Sequence, residues 1–386
     1  MTPKTTGACS SLFFTLILIF TVQITATTLF GHGKNRKTVF PNTPGFVTLA
    51  CDFHQHTVFS DGSVWPDIRV EEALKDGLDA ISITDHLEYQ PHKDDIPHPD
   101  RNRSFDIAKK SGKGKELMII RGAEITRKMP PGHANAIFIN DANLLLQEDV
   151  FTVFREAKKQ GAFTFWNHPN WTSQKKDGIA SLTEMHKELI AEELLNGIEV
   201  VNEFTYSEEA FQIALDNNLT VIGTSDIHGL IDWEYNVPEG GHRPITLVFA
   251  KEKTESSLKE ALFAGRTVVW FNNILIGNEE FLAPLINSSI DVAATDSSKG
   301  YQGKSMIWEV VLTNNSSADF ILKNKSEFSL HSHADLVELK AFSTVKLEVK
   351  TLKKIESFRL TFDVINAYSA PKTNPQLKII VGHSVD

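Results

Sequence analysis

Cysteine is scarce in this chain: Cys9 and Cys51 are the two among 386 residues. Cys9 falls in a segment expected to be removed, so Cys51 stands alone in the mature protein. That excludes an intramolecular disulfide and zinc-ribbon sites built from thiolates. Positive charge is also in deficit: 39 Lys and Arg face 49 Asp and Glu, a net charge of -10. Such a balance argues against a protein that grips the backbone phosphates of nucleic acid. Long apolar runs are missing too. "LFFTLILIF" (Leu12–Phe20), continued by Thr21 and Val22, falls short of the roughly 20 residues that span a bilayer. Internal repeats are absent.

That short apolar stretch follows Lys4 and precedes "ITA" (Ile24–Ala26), with a small residue at a cleavage point. Residues 1–26 are therefore expected to be a signal peptide and 27–46 a polar leader. The mature protein is expected to be exported, periplasmic or secreted, with no membrane span; a retained anchor is the competing reading. Asn-x-Ser/Thr triplets at Asn102, Asn170, Asn218, Asn287 and Asn324 have meaning only in a host that glycosylates.

Beyond the leader, apolar β-rich runs alternate with helical spacing. "VTLACDF" (Val47–Phe53) precedes the helical "DIRVEEALKDG" (Asp67–Gly77), and "LDAISITDH" (Leu78–His86) follows. "LMIIRGAEIT" (Leu117–Thr126), "HANAIFI" (His133–Ile139), "AFTFWNHP" (Ala162–Pro169), "GIEVVNE" (Gly197–Glu203), "TVIGTSDIH" (Thr220–His228), "ITLVFA" (Ile245–Ala250) and "RTVVWF" (Arg266–Phe271) continue the series. Strands apolar on both faces, alternating with amphipathic helices, predict an α/β fold with a parallel sheet closed into a barrel. Past Ala283–Asn287 the pattern changes to alternating runs such as "MIWEVVLTN" (Met306–Asn314) and "FRLTFDVINA" (Phe358–Ala367). These predict a small antiparallel, sandwich-like β domain. The expected boundaries are 47–282 for the barrel and 283–386 for the β domain.

Polar residues gather where strands finish. His54 and His56, His86, Glu124, His168, and Asp226 with His228 follow five apolar runs. In a parallel barrel those ends share one mouth, where barrel enzymes build their sites. The i, i+2 pairs project on one face of an extended chain, so each can converge on one ion or two neighbouring ions. A lone histidine at a strand end is ordinarily a hydrogen-bonded core or surface residue; the repetition is what points to a metal centre. His331 and His333 repeat the His-x-His spelling in the β domain without carboxylate-bearing strand ends around them, and are read as structural.

The motifs "DFHQHTVFSDG", "ITDH", "GAEIT", "GHANAI", "NHP" and "SDIH" resemble, in order, those of the PHP (polymerase and histidinol phosphatase) family, over about Val47 to Asn273. The resemblance implies a distorted (β/α)7 barrel with a di- or trinuclear centre hydrolysing phosphate esters. It places His54, His56 and Asp226 on a first ion, with Glu124 bridging to a second held by His133 and His168. Asp61, His86 and His228 would hold a third. The apparent signal and the appended β domain set the chain apart from the family's DNA-polymerase and histidinol-phosphate branches, and the stretch His242–Phe271 resembles an exported subgroup associated with phosphodiester hydrolysis.

Six imidazoles and three carboxylates suit two or three Zn, Mn or Fe ions better than Mg or Ca, which prefer all-oxygen shells. Three divalent ions against three carboxylates leave about +3, and two ions about +1, so an acidic protein would own a cationic pocket for an anionic ester. In-line attack by a metal-activated hydroxide is expected. Glu124 and Asp226 belong to the expected catalytic set, together with Arg243 as a phosphate clamp and His242 as a leaving-group acid. Asp85 is expected to orient a ligand imidazole, with capping of its loop as the alternative. The aromatics Trp166, Trp171, Phe204, Tyr206, Trp233 and Tyr235 could flank a second ester substituent, or serve as ordinary packing. The small-molecule substrate is thus expected to be a phosphodiester. The alternatives are an exported phosphomonoesterase acting on nucleotides or sugar phosphates, and a glycan- or surface-binding protein with a metal scaffold.

Overall fold

The structure, a computed structural model, describes residues 36–297, 307–352 and 355–382. The expected signal segment and the first part of the leader lie outside the described residues. No helix among the described residues is long and apolar enough to cross a membrane.

The first part of the chain runs β1 (Val47–Asp52), α1 (Pro66–Asp76), β2 (Ala80–Ile83), α2 (Arg103–Ser111), β3 (Met118–Ile125), β4 (Ala134–Ile137), α3 (Val150–Lys159), β5 (Phe163–Trp166), α4 (Glu184–Ala191), β6 (Gly197–Asn202), β7 (Thr205–Tyr206), α5 (Glu208–Asn217), β8 (Thr220–Thr224), α6 (Ile231–Glu234), β9 (Ile245–Ala250), α7 (Glu255–Phe263), β10 (Thr267–Phe271) and β11 (Ile274–Gly277). Helix limits follow local chemistry. Pro66 opens α1, where its missing N–H costs nothing, and Gly77 closes it in the left-handed region. Asp149, Ser207 and Thr254 cap α3, α5 and α7 by accepting backbone N–H bonds.

The strands form one curled sheet in the order β11–β10–β9–β1–β2–β3–β4–β5–β6–β7, with β8 also paired to β6. It is mixed rather than parallel. β4 is antiparallel to both β3 and β5, and β9 is antiparallel to β1 and β10. The apolar runs could not reveal this, because a strand buried on both faces reads alike in either direction.

Between β8 and β9 no ladder forms. Closure there relies on the Thr246 hydroxyl, which donates to the Gly223 carbonyl (2.8 Å) and accepts from its N–H (3.0 Å). Above it, an isolated bridge joins Gln55 to Ile227, so β1 and β8 meet just beyond their ends. Gly223 allows the approach: a Cβ there would stand 2.2 Å from Cγ1 of Val269. Gly223→Ala is expected to destabilise the protein by about 1–3 kcal/mol through overpacking, read from urea unfolding.

Helix α8 (Glu279–Ser289) crosses the expected domain boundary and runs straight into β12 (Ile290–Ser297). There follow β13 (Ile307–Asn314), β14 (Phe320–Asn324), β15 (Ser329–Leu330), β16 (Leu336–Leu339), β17 (Thr344–Lys350), β18 (Ser357–Val364), β19 (Ala367–Tyr368) and β20 (Gln376–Gly382). Two four-stranded antiparallel sheets, β12–β13–β17–β15 and β16–β14–β18–β20, make the sandwich. Alternating burial along β13 and β18 is what one packed face and one wet face require. The β domain is not a detachable appendage. β19 pairs in parallel with β11 as an edge of the barrel sheet, and Trp270, Leu275 and Leu282 share one core with Trp308, Phe320 and Phe358.

Candidate metal centre

The nine side chains expected from the sequence come together at one end of the barrel. His54 and His56 stand two and four residues past β1, His86 three past β2, His168 two past β5, and Asp226 and His228 two and four past β8. Glu124 sits next to last in β3. His133 arrives differently: it immediately precedes β4, whose reversed direction puts its N-terminal end at the mouth. Left-handed backbone at His168 (φ 29°) and Asp226 (φ 46°) marks turns that cost about 1–2 kcal/mol at non-glycine residues, the kind of strain that gathers at functional sites.

Glu124 and Asp226 are the hubs. Oδ1 of Asp226 lies 3.0 Å from Nε2 of His54 and 2.9 Å from Nε2 of His56, and those two nitrogens are 3.0 Å apart. Oε2 of Glu124 is 3.6 and 3.4 Å from the same nitrogens and 2.7 Å from Nδ1 of His86. Its Oε1 accepts from Nδ1 of His133 (2.9 Å), with Nε2 of His168 at 3.6 Å. On the outer side Asp61 lies 3.2 Å from Nε2 of His228, 3.5 Å from Nε2 of His86 and 3.6 Å from Nδ1 of His56. His54, His56 and Glu124 are fully buried, while the side chains of Asp61 and His228 keep 26% and 35% exposure. The opening is on their side.

Three sets of donors each lie within reach of a single cation: His54, His56 and Glu124; His56, Asp61, His86 and His228; and His86, Glu124 and His133. This grouping differs from the resemblance-based partition. His56 stands between the first and third positions, and His86 leans on Glu124 as well as Asp61.

The donor set fits divalent cations by a direct test. Oδ1 of Asp61, Oε2 of Glu124 and Oδ1 of Asp226 are buried and accept no hydrogen bond, a costly arrangement unless positive charge fills the space between them. Protonation carries the same message. Burial opposes charge on Glu124 and Asp226, yet the imidazoles of His86, His54 and His56 hold both carboxyls well below their usual range. Burial also opposes charge on His86 and His228, but Glu124 and Asp61 push His86 up to about 10, and Asp61 with Asp226 push His228 up to about 9. His56 moves the other way, to about 4, because burial is reinforced by His228 and His86. Without cations the carboxylates collect protons on the surrounding imidazoles in their place.

Residues missed in the sequence hold this cluster in position. Glu199 accepts from Nδ1 of His54 at 2.8 Å, from the Thr224 hydroxyl at 2.6 Å and from the backbone N–H of His168 at 2.7 Å. It is a buried charge in the otherwise apolar "GIEVVN", and that anomaly was the available signal. Asn202 bridges Glu199 and Asp226, and Asn167 donates to Glu124. Arg69, fully buried, donates to the carbonyls of His56, Ile227, His228 and Gly229, clamping two ligand-bearing segments together. In sequence it reads as a helical i, i+3 partner of Glu72. Gly62 completes the loop: a Cβ there would lie 2.7 Å from the backbone carbon of His56.

Three expectations need correction. Asp85 touches no ligand imidazole; it accepts from the backbone and hydroxyl of Thr57 and from the Ser60 hydroxyl. Its reach to His56 is indirect, since Nδ1 of His56 faces that Ser60 hydroxyl at 3.2 Å. Arg243 is no phosphate clamp in this geometry. It is buried and ion-paired to Asp52 (3.2 Å) and Asp76 (2.6 Å), because it precedes β9, which runs antiparallel beside β1. His242 is no leaving-group acid either. It stacks on Trp270 with centroids 3.5 Å apart and accepts from the Asn273 N–H, and burial lowers it to about 4. Of the aromatics, Trp166 is core packed on His186, the Tyr235 hydroxyl donates to the Ser225 carbonyl, and Tyr206 stacks on Tyr368 of the β domain. Trp171, Phe204 and Trp233 are exposed. His331 and His333 join no cation-ready group among the described residues.

Replacing Glu199 by glutamine is expected to weaken metal binding and kcat/KM by about 10–100-fold with the fold retained. Metal titration beside circular dichroism measures both; full affinity in the variant would remove Glu199 from this role.

The chain is similar to several known proteins. A solved two-domain protein of Bacteroides vulgatus, containing a predicted PHP-like metal-dependent phosphoesterase, is 41% identical, with 89% of this chain and 98% of that chain covered and a TM-score of 0.83. PsfC of Pseudomonas syringae is 16% identical, with 62% of this chain and 96% of that one covered and a TM-score of 0.41. An uncharacterized protein of Methanocaldococcus jannaschii is 38% identical over 82 residues, 21% of this chain, and the match spans 34% of that protein's length. An Ig-like domain family model (DUF5001) matches residues 295–380. The chain belongs to the PHP-like metal-dependent phosphoesterases, with an Ig-like C-terminal domain.

Proposed function

We propose that this protein is an exported phosphodiesterase working with two or three Zn, Mn or Fe ions. The observation that carries the reading is the meeting of six imidazoles and three carboxylates around buried oxygens that accept no hydrogen bond. Bound there, such ions supply Lewis acidity, lowering the pKa of water towards neutrality and neutralising phosphoryl oxygens.

The protein's own residues supply orientation. Glu199 accepts a hydrogen bond from Nδ1 of His54, and the Asp226 carbonyl accepts one from Nδ1 of His228. Each bond leaves the Nε2 lone pair aimed into the cluster. Ser60, donating to Asp85, is placed to accept from Nδ1 of His56. Arg69 keeps the loops after β1 and β8 at fixed separation. Burial of His54, His56 and Glu124 closes the inner wall to bulk water, while Asp61 and His228 border the entry.

The preference for diesters comes from charge. A monoester dianion usually calls for extra fixed cations, and the arginines beside the ligand-bearing segments are already committed. Arg69 and Arg101 bond to backbone carbonyls, Arg127 pairs with Glu88, and Arg243 pairs with Asp52 and Asp76. Exposed aromatics at the mouth suit a second, apolar ester group. The test is hydrolysis of bis(p-nitrophenyl) phosphate beside p-nitrophenyl phosphate by the full mature chain with added Zn or Mn. Faster turnover of the diester is expected; a rate much higher on the monoester would reverse the assignment.

A further inference from the structure

Trp171 stands apart among the aromatics of the mouth. Its ring centroid lies 5.1 Å from that of His168 and 5.7 Å from that of His133, beside two members of the cluster at once. The indole is nonetheless 43% exposed. A solitary exposed tryptophan needs no explanation, but this one is held in place. Its backbone N–H donates to the His168 carbonyl at 2.9 Å, and its backbone carbonyl accepts from the N–H groups of Gln174 (3.0 Å) and Lys175 (2.7 Å). His168, Pro169, Asn170 and Trp171 thus form one turn, in which the proline restricts the backbone and a cluster imidazole and the indole share a frame. An aromatic platform with its backbone already ordered loses little entropy when a second ring lies on it.

We infer that the exposed indole of Trp171 is the specificity-determining surface on which a planar aromatic ester substituent of the substrate stacks. The inference rests on the phosphodiester reading above and narrows it to diesters carrying an aryl group or a nucleobase. The indole stands beside imidazoles of the cluster that would hold the phosphoryl group, so a ring joined to phosphorus through an ester oxygen is the part of the substrate suited to stack on it. Tyr89, 51% exposed and 5.8 Å from the His86 ring, is another exposed aromatic beside the cluster. It touches one imidazole where Trp171 touches two.

Binding and hydrolysis test the inference separately. The full mature chain loaded with Zn is titrated calorimetrically with phenyl methylphosphonate and with methyl methylphosphonate, two monoanions differing in the ester group. Wild type is expected to bind the phenyl ester about tenfold more tightly. Trp171→Ala should remove that preference without weakening the methyl ester, and Trp171→Phe should keep most of it. A phenyl preference that survives in Trp171→Ala overturns the inference, as does equal weakening of both ligands. Turnover of thymidine 5′-(p-nitrophenyl) phosphate and of bis(p-nitrophenyl) phosphate, which both carry an aryl ester, is expected to fall about tenfold in kcat/KM in Trp171→Ala. If diesters are turned over while Trp171→Ala keeps the phenyl preference, the inference fails and the diester reading stands. If Trp171 governs phenyl binding while only monoesters are turned over, the diester reading alone fails.

Discussion

Glu124→Gln is expected to lower kcat/KM on bis(p-nitrophenyl) phosphate by about 10³-fold and to strip the protein of tightly held metal. Both oxygens of Glu124 serve the cluster. Oε1 takes bonds from His133 and Asn167, and Oε2 faces His86, His56 and His54. An amide of the same shape keeps one oxygen, loses the charge, and turns N–H bonds toward groups that would share a cation. Circular dichroism should change little, so the loss is separable from unfolding. Proton release gives a reading independent of turnover. With His86 at about 10 and His228 at about 9 in the metal-free protein, both are largely protonated at pH 8. Adding Zn should expel those protons into a weakly buffered indicator solution, and apparent affinity should climb as pH rises towards 9–10. Metal uptake with no proton release would contradict the arrangement of carboxylates and imidazoles described here.

Arg243→Leu carries the second large effect, and it falls on stability. The guanidinium lies between the carboxylates of Asp52 and Asp76, with Asp52 fully buried. Removing it leaves the Asp52 carboxyl in the interior with Ser225 as its remaining hydrogen-bond partner among the described residues. Breaking a buried pair from one side costs about 3–5 kcal/mol, so the urea midpoint should drop sharply. Adding Asp52→Asn should recover part of the loss, since a neutral amide is cheaper to bury. Below the unfolding transition, turnover per folded molecule should stay within about threefold of wild type. A normal urea midpoint together with a collapse of kcat would instead return Arg243 to the role of a phosphate clamp.

Legibility along the chain followed the range of the interactions. The helix at 67–77 and the strands around "LDAISITDH", "GIEVVNE" and "TVIGTSDIH" appear where periodicity placed them, because apolar spacing and capping residues act locally. The i, i+2 arithmetic for His54 and His56 likewise puts both Nε2 atoms at one point. Strand direction was not legible. β4 and β9 run against their neighbours, and this places His133 at the mouth and sends Arg243 inward to Asp52. Arg69 and Glu199 were missed because their partners lie far away in sequence: Arg69 meets carbonyls at 227 to 229, and Glu199 meets His54.

The amino-acid order by itself determined the chemistry. Imidazoles and carboxylates at strand ends specify cation donors, and the near absence of thiols excludes thiolate sites. Folding decided which donors share a position, how the barrel closes through Thr246 and Gly223, and which charged side chains become supports rather than catalysts. The division has a physical origin. Side-chain chemistry and backbone period belong to each short segment, whereas burial and pairing exist only once segments remote in sequence meet.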